Sequence, residues 1–348
     1  MKCTLRVLAF VTATLHAQSL PPGQLIPDVA TTADPEQRYA LYLPAKYNAR
    51  RAWPLILAFD PGARGIRAVE QYQVAAETFG YIIAASNVSR NGSWPVSIAA
   101  ARAMAVDVTT RFSIDEKRVY TAGMSGGARV AMGVALSSNG LVAGVIASSA
   151  GFPDSNPAKT APFAVFGTAG TEDFNWLEMR SLDKTLTTPH RVVFFEGGHV
   201  WLSSELAVEA VEWMDLQAML SGRMTRDEDR VKRLCQARPS DCGQPEKVDK
   251  DAKKKLDAEE YQERRALGDI LDRERELNNP ETRAQAFAQL RETWSRLMAD
   301  AQGPENTAAR RSARRLTRGL LTGIQTRTKD AEYQKLLSAY RTPRQGER

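Results

Sequence analysis

The sequence predicts an α/β protein, a mostly parallel sheet with helices on both faces, followed by an all-α C-terminal region. Three observations carry that expectation. From Gln37 to about Met219, short and nearly continuous apolar runs alternate with helical patterns, as in a sheet buried on both faces. After Arg223 apolar residues recur at helix spacing only. Charge changes at the same place: residues 18–220 hold 16 Lys and Arg against 19 Asp and Glu, and residues 221–348 hold 29 against 22. The net charge of +6 therefore describes the second region and not the first.

Taken in order, Tyr39–Leu43 alternates and stops at Pro44, and Leu55–Phe59 is an unbroken apolar strand. Tyr81–Ala85, Val119–Ala122, Val142–Ala147, Phe163–Phe166 and Val192–Phe195 are of the same kind. Between them the spacing predicts helices near 67–78, 97–112, 127–138 and 203–219. In the second region, stripes through Ile270, Trp294, Leu316 with Ile324, and Leu337 predict three or four amphipathic helices. These pack as a small bundle or against the first module. Asn279-Pro280 and Gly303-Pro304 supply the breaks, and Lys247 to Lys255 reads as a charged linker.

Composition narrows the function. With 348 residues and 43% hydrophobic content the chain buries a real core, so disorder throughout is excluded. No uninterrupted apolar run reaches the roughly 18 residues of a spanning helix. Three His and three Cys are too few to favour a metal site; no cofactor is expected either. Met1 to Ala17 reads as a secretory leader: Lys2 and Arg6 precede or flank an apolar stretch ending at Leu15, and Ala17 offers a small residue at the cut. The predicted divisions are therefore 1–17 leader, 18–220 first domain and 221–348 helical region, in a secreted or periplasmic protein. Cys235 and Cys242 then remain, either paired as a disulfide or left as two buried thiols.

The chemistry centres on Gly123-Met124-Ser125-Gly126-Gly127, placed between a strand and a helix. A Gly-x-Ser-x-Gly turn there lifts the Ser hydroxyl above the carboxyl edge of the sheet. It also aims the Gly126 N–H, at a helix N-terminus, where an oxyanion forms. Serine needs a base. His190 precedes its strand at the far edge, which leaves His199, in Glu196-Gly-Gly-His199, at the edge where Ser125 projects. The acid must come from Glu172-Asp173, after the preceding strand; Asp173 is the first candidate and Glu172 the alternative. Trp94 and Trp201 flank the same edge, as pocket walls or as core.

Ile114–Ala128, together with Gly197-Gly-His-Val-Trp201, resembles the α/β-hydrolase superfamily, and within it the secreted feruloyl esterases and poly(3-hydroxybutyrate) depolymerases. The resemblance covers about residues 37–219. It implies Ser125, Asp173 and His199 as nucleophile, acid and base, acting on a small or polymeric ester. One segment departs from that branch, which carries His-Gly after the third strand; here Phe59-Asp60-Pro61-Gly62-Ala63 stands instead. Pro61 has no N–H, so Gly62 or Ala63 is expected to supply the second oxyanion donor, with Asp60 bracing the loop.

The expectation is thus a secreted or periplasmic serine hydrolase of carboxylic esters. A serine peptidase of the same fold and an inactive hydrolase-fold module that binds the cell envelope are the alternatives. The basic run Arg310–Arg318 reads as a solvated helix face or a weak contact for an anionic envelope surface. No aromatic interleaving or motif suggests nucleic acid.

Overall fold

The computed structural model describes residues 20–154, 160–244, 249–322 and 327–340. The leader-like segment 1–17, part of the charged linker and Ile324 lie outside the described residues.

Eight strands make one sheet: β1 (Leu25–Ala30), β2 (Arg38–Tyr42), β3 (Trp53–Phe59), β4 (Ile82–Ser86), β5 (Ile114–Met124), β6 (Val142–Ser148), β7 (Ala164–Gly170) and β8 (His190–Phe195). Their spatial order is 1-2-4-3-5-6-7-8. β1 and β2 join antiparallel, β2 meets β4 antiparallel, and every pair from β4 across to β8 is parallel. Each parallel crossover carries its chain back over a face, so the central strands are covered twice. In β3, Leu55, Leu57 and Phe59 enter one apolar cluster while Ile56 and Ala58 enter the other. That double burial explains why the run reads as unbroken rather than alternating.

Helices α1 (Gly65–Phe79) and α5 (Ser204–Leu220) cover one face, and α2 (Trp94–Arg111), α3 (Gly126–Leu136) and α4 (Trp176–Thr185) the other. Their ends follow local chemistry. α1 stops at Gly80, whose φ of 74° suits the left-handed cap, and the Ser203 hydroxyl accepts from the Leu206 N–H to start α5.

β1 and α4 go beyond the sequence prediction. β1 contains Pro27 and Asp28 and has an irregular register between Ile26 and Val29, which only an edge strand tolerates. α4 buries Trp176, Met179, Arg180 and Leu182, too narrow a stripe to stand out among polar neighbours.

Packing also runs past the expected division at 220/221. Helix α6 (Glu228–Ala237) packs on α5, with Val231 against Leu216 and Met219. Arg230 reaches the buried Asp215 at 3.1 Å, and Gln217 donates to the Asp241 carbonyl at 2.9 Å. Cys235 and Cys242 are joined in a disulfide that closes this short segment. The packing of the sheet module therefore continues to Cys242, because α5 keeps an apolar flank that α6 completes.

Beyond it stand α7 (Lys250–Glu276), α8 (Arg283–Ala301), α9 (Ala308–Thr322) and α10 (Ala331–Ala339). Ile270, Leu290, Trp294, Leu316, Leu320, Tyr333 and Leu337 form their own core. Inside it the Trp294 indole N–H donates to the Tyr333 hydroxyl at 2.8 Å, and that hydroxyl donates to Glu274. A buried aromatic thus finds a polar partner. Among the described residues no helix is long and apolar enough to cross a membrane.

The basic run of α9 is only partly a solvated face. Arg315 is 2% exposed, bonds Glu263 and Glu259 of α7, donates to the Thr171 carbonyl of the sheet module, and lies 4.1 Å from the Trp176 ring. Arg180 of α4 answers from the other side by pairing with Asp257 and Glu260. Each of these buried charges is thus paired and hydrogen-bonded, as burial of a charge requires.

A truncation tests where the sheet module ends. A chain stopped after Gly222 exposes Leu216 and Met219 and leaves Asp215 without Arg230, whereas a chain stopped after Gln244 keeps both. The longer truncation is expected to melt at the higher temperature by circular dichroism. Equal melting would return the boundary to 220.

Candidate active site

The site is assembled at the carboxyl ends of β5, β7 and β8, the edge where open α/β sheets place their ligands. β5 ends at Met124 and α3 begins at Gly126, so Ser125 alone makes the turn. Its φ of 54° and ψ of −122° lie outside the ordinary regions for a side-chain-bearing residue. Packing holds it there: the Ser125 N–H donates to the Ser148 carbonyl at 2.8 Å, and its own carbonyl accepts from Ala128 and Arg129. A methyl group at Gly123 would lie 2.2 Å from the Gly127 carbonyl oxygen, and one at Gly127 would lie 2.0 Å from the Phe59 oxygen. Both glycines are required because backbone passes where a side chain would be.

β7 leads into Thr171-Glu172-Asp173, and β8 into Gly197-Gly198-His199. The two loops are tied by the Glu172 N–H to the Gly197 carbonyl at 2.8 Å, over a bare Gly170. This stitching brings His199 above Asp173. His199 Nδ1 lies 2.8 Å from Asp173 Oδ1, and Nε2 lies 2.8 Å from Ser125 Oγ. With Nδ1 protonated, the imidazole donates to the carboxylate and leaves Nε2 to accept from the serine hydroxyl.

Asp173 is wholly buried, and its Oδ1 also accepts from the Asn175 N–H at 2.8 Å. Asp173 Oδ2 has no hydrogen-bond partner among the described residues. Phe174 stacks on the His199 ring at 4.0 Å between centroids and closes one of its faces. Nothing in the neighbours of Phe174 in sequence shows which way this loop aromatic turns.

The alternative acid, Glu172, faces away. It pairs with Arg314 at 2.7 Å and Arg310 at 3.5 Å, both from α9. Four of the five arginines in the basic run therefore have carboxylate partners within the protein, Arg311 and Arg315 on α7 and these two on Glu172. His190 sits apart, between the carbonyls of Thr188 and Asp183.

The loop after β3 is braced as expected, with an unexpected cost. Asp60, fully buried, accepts from the Gly62 N–H at 2.8 Å, from Arg64 Nε at 2.8 Å and from the Trp201 indole at 2.9 Å. Burial works to raise its pKa, but the bonds from Arg64, Trp201 and Gly62 outweigh it and hold the carboxyl below its usual range. The Gly62 N–H, expected to face an oxyanion, is thereby engaged by Asp60, and the Ala63 N–H bonds the Asp60 carbonyl at 3.2 Å. The Gly126 N–H opens the first turn of α3.

Neither tryptophan is a simple pocket wall. Trp201 is the brace on Asp60 and meets Tyr72 edge-on. Trp94 is 41% exposed and rests on Gly133, roughly 10 Å along α3 from the serine turn. Asn91 is the residue that sequence reasoning misses. Its main-chain N–H donates to the Pro61 carbonyl at 2.9 Å, and its carboxamide lies against Gly126. Only the pairing of two loops distant in sequence brings it there. Among the described residues no group of three or more His, Cys, Asp or Glu is gathered as a metal ion requires.

Strand order 1-2-4-3-5-6-7-8, a serine turn after β5, an acid after β7 and a histidine after β8 decide the architecture. This is the α/β-hydrolase fold. No protein-family model matches the chain, and no curated protein matches it. Several solved structures are similar. An esterase of Pyrobaculum calidifontis aligns with 57% of this chain and 87% of its own, at 12% identity and a TM-score of 0.45. A fluorophosphonate-binding serine hydrolase of Staphylococcus aureus, solved with substrate bound, aligns with 56% and 98%, at 14% identity and 0.44. Est1E of Butyrivibrio proteoclasticus aligns with 55% and 98%, at 14% identity and 0.43.

The close packing of the serine turn is open to direct test. Gly123→Ala and Gly127→Ala are each expected to lower unfolding free energy by about 3 kcal/mol in urea, since backbone must move. Gly268→Ala, which meets nothing within 4 Å in α7, is expected to raise it by about 1 kcal/mol. Equal midpoints for all three would refute the packing account.

Proposed function

We propose that this chain is a serine hydrolase that cleaves carboxylic esters through an acyl-enzyme. The observation that supports it is the line of two 2.8 Å hydrogen bonds from Ser125 through His199 to the buried Asp173. Ser125 Oγ attacks the ester carbonyl carbon while its proton passes to His199 Nε2. Asp173 keeps the imidazole in the tautomer that accepts this proton and then stabilises the imidazolium. The carbonyl oxygen takes the negative charge, facing the Gly126 N–H. Collapse of the tetrahedral intermediate breaks the bond to the alcohol, which leaves with the proton from His199. Water, deprotonated by the same imidazole, then releases the acid and restores Ser125.

Ester rather than amide cleavage is proposed from the resemblance of the serine-turn and histidine segments. An extracytoplasmic location belongs to the same proposal, supported by the Cys235–Cys242 disulfide and the leader-like Met1–Ala17. Of the basic run, Arg318 alone has no carboxylate partner among the described residues, which gives an anionic envelope surface little to hold.

The purified chain is expected to be labelled by a fluorophosphonate at Ser125 and to turn over nitrophenyl esters faster than matched anilides. Ser125→Ala and His199→Ala should each cost ~10³-fold or more in kcat, with no further loss in the double variant. His190→Ala should leave turnover unchanged. A wild-type rate in His199→Ala would remove the base from the scheme, and faster anilide turnover would make the chain a peptidase.

The acid has its own test. Asp173→Asn should cost about 10⁴-fold by leaving the imidazole in the wrong tautomer. Glu172→Gln, which loses only the arginines of α9, should stay within a few-fold of wild type. The reverse ranking would assign the acid to Glu172.

A further inference from the structure

We infer that the side-chain carboxamide of Asn91 is the second oxyanion donor, acting opposite the Gly126 N–H. The inference rests on the esterase reading above and adds a catalytic residue to it.

Developing charge on a carbonyl oxygen needs more than one aligned donor in a site from which water is largely excluded. In the loop after β3, the positions expected to supply one have none to offer here. Pro61 lacks an N–H, the Gly62 N–H is held by Asp60 Oδ1, and the Ala63 N–H by the Asp60 carbonyl. Freeing Gly62 would take a hydrogen bond from a buried carboxylate, which is costly.

Asn91 stands beside this gap. A methyl group on Gly126 would lie 1.7 Å from Asn91 Oδ1 and 3.6 Å from Nδ2, so the carboxamide occupies the space next to the residue that follows Ser125. Gly126 has no side chain, and that is what admits the amide. The backbone of Asn91 is fixed to the same loop by its N–H to the Pro61 carbonyl, and Arg90 bridges Gly62. The carboxamide itself has no hydrogen-bond partner among the described residues. It therefore remains available, and a half-turn about Cβ–Cγ exchanges its oxygen for its NH2.

In the acylation step the Ser125 Oγ–carbon bond forms, the hydroxyl proton moves to His199, and the carbonyl electron pair moves to oxygen. Asn91 Nδ2–H and Gly126 N–H then both donate to that oxygen. Asn91 makes no bond to the planar ground-state carbonyl of comparable strength, so it acts on kcat more than on KM.

The experiment compares wild type, Asn91→Ala and Asn91→Asp on a nitrophenyl ester, with an alkyl trifluoromethyl ketone as inhibitor. The ketone forms a hemiketal with Ser125 whose oxyanion needs the same donors. Asn91→Ala is expected to lose about 10²-fold in kcat with KM within about twofold, and to bind the ketone about 10²-fold more weakly. Asn91→Asp, which places an acceptor where a donor is needed, should be slower still. Melting temperatures near wild type will show that the exposed position tolerates both changes. An Asn91→Ala enzyme with wild-type kcat and ketone affinity overturns this inference alone. A wild-type chain that neither hydrolyses the ester nor accepts a fluorophosphonate at Ser125 overturns the esterase reading and this inference with it.

Discussion

Contact of backbone with backbone around Ser125 is the constraint on which the rest depends. β5 cannot pass into α3 through one residue unless the chain at 123 and 127 comes within touching distance of its neighbours, and only glycine allows that. The strained φ of Ser125 is held by this crowding and by the bond to β6. Every other functional group is placed relative to that turn. The imidazole meets the hydroxyl because two loops from neighbouring parallel strands are tied together at Glu172 and Gly197. Parallel strands deliver three loops to one edge, so a site can be built from residues 125, 173 and 199 without a long excursion of chain.

The helical region contributes to the site by support. Arg315 inserts between Trp176 and the carboxylates of α7 while holding the Thr171 carbonyl, two residues before Asp173. Gly319 lies against Phe174, the ring stacked on His199. The two modules therefore meet through long charged side chains more than through apolar surface. Such a junction is more sensitive to ionic strength at its exposed rim, Lys184 and Arg314, than at the buried Arg315.

Much of this is legible in the sequence for a simple reason. Strands buried on both faces leave unbroken apolar runs, and a serine between glycines at a strand–helix junction is the local mark of a nucleophile turn. Ser125, Asp173 and His199 each stand out by their position relative to a strand end, a local property. What stays hidden depends on partners far away in sequence. β1 is marked only by its pairing with β2, and α6 only by the flank of α5 it covers. The engagement of Gly62 by Asp60 depends on the rotamer of one carboxylate, and the placing of Asn91 on two loops laid side by side. The basic run shows its charge in sequence but not the carboxylates of α7 and Glu172 that meet it.

The brace on Asp60 couples positions far apart in the chain. Gly62 N–H, Arg64 and Trp201 all converge on one buried carboxylate, and they come from two loops separated by more than half of the sheet module. Loss of Asp60 alone would leave the Trp201 indole N–H without its acceptor, and loss of Trp201 alone would leave a buried carboxylate underbonded. Positions 60 and 201 are thus energetically coupled. A histidine placed at position 60 would free the Gly62 amide, and in the same step it would leave the Trp201 indole, two residues after His199, without its acceptor.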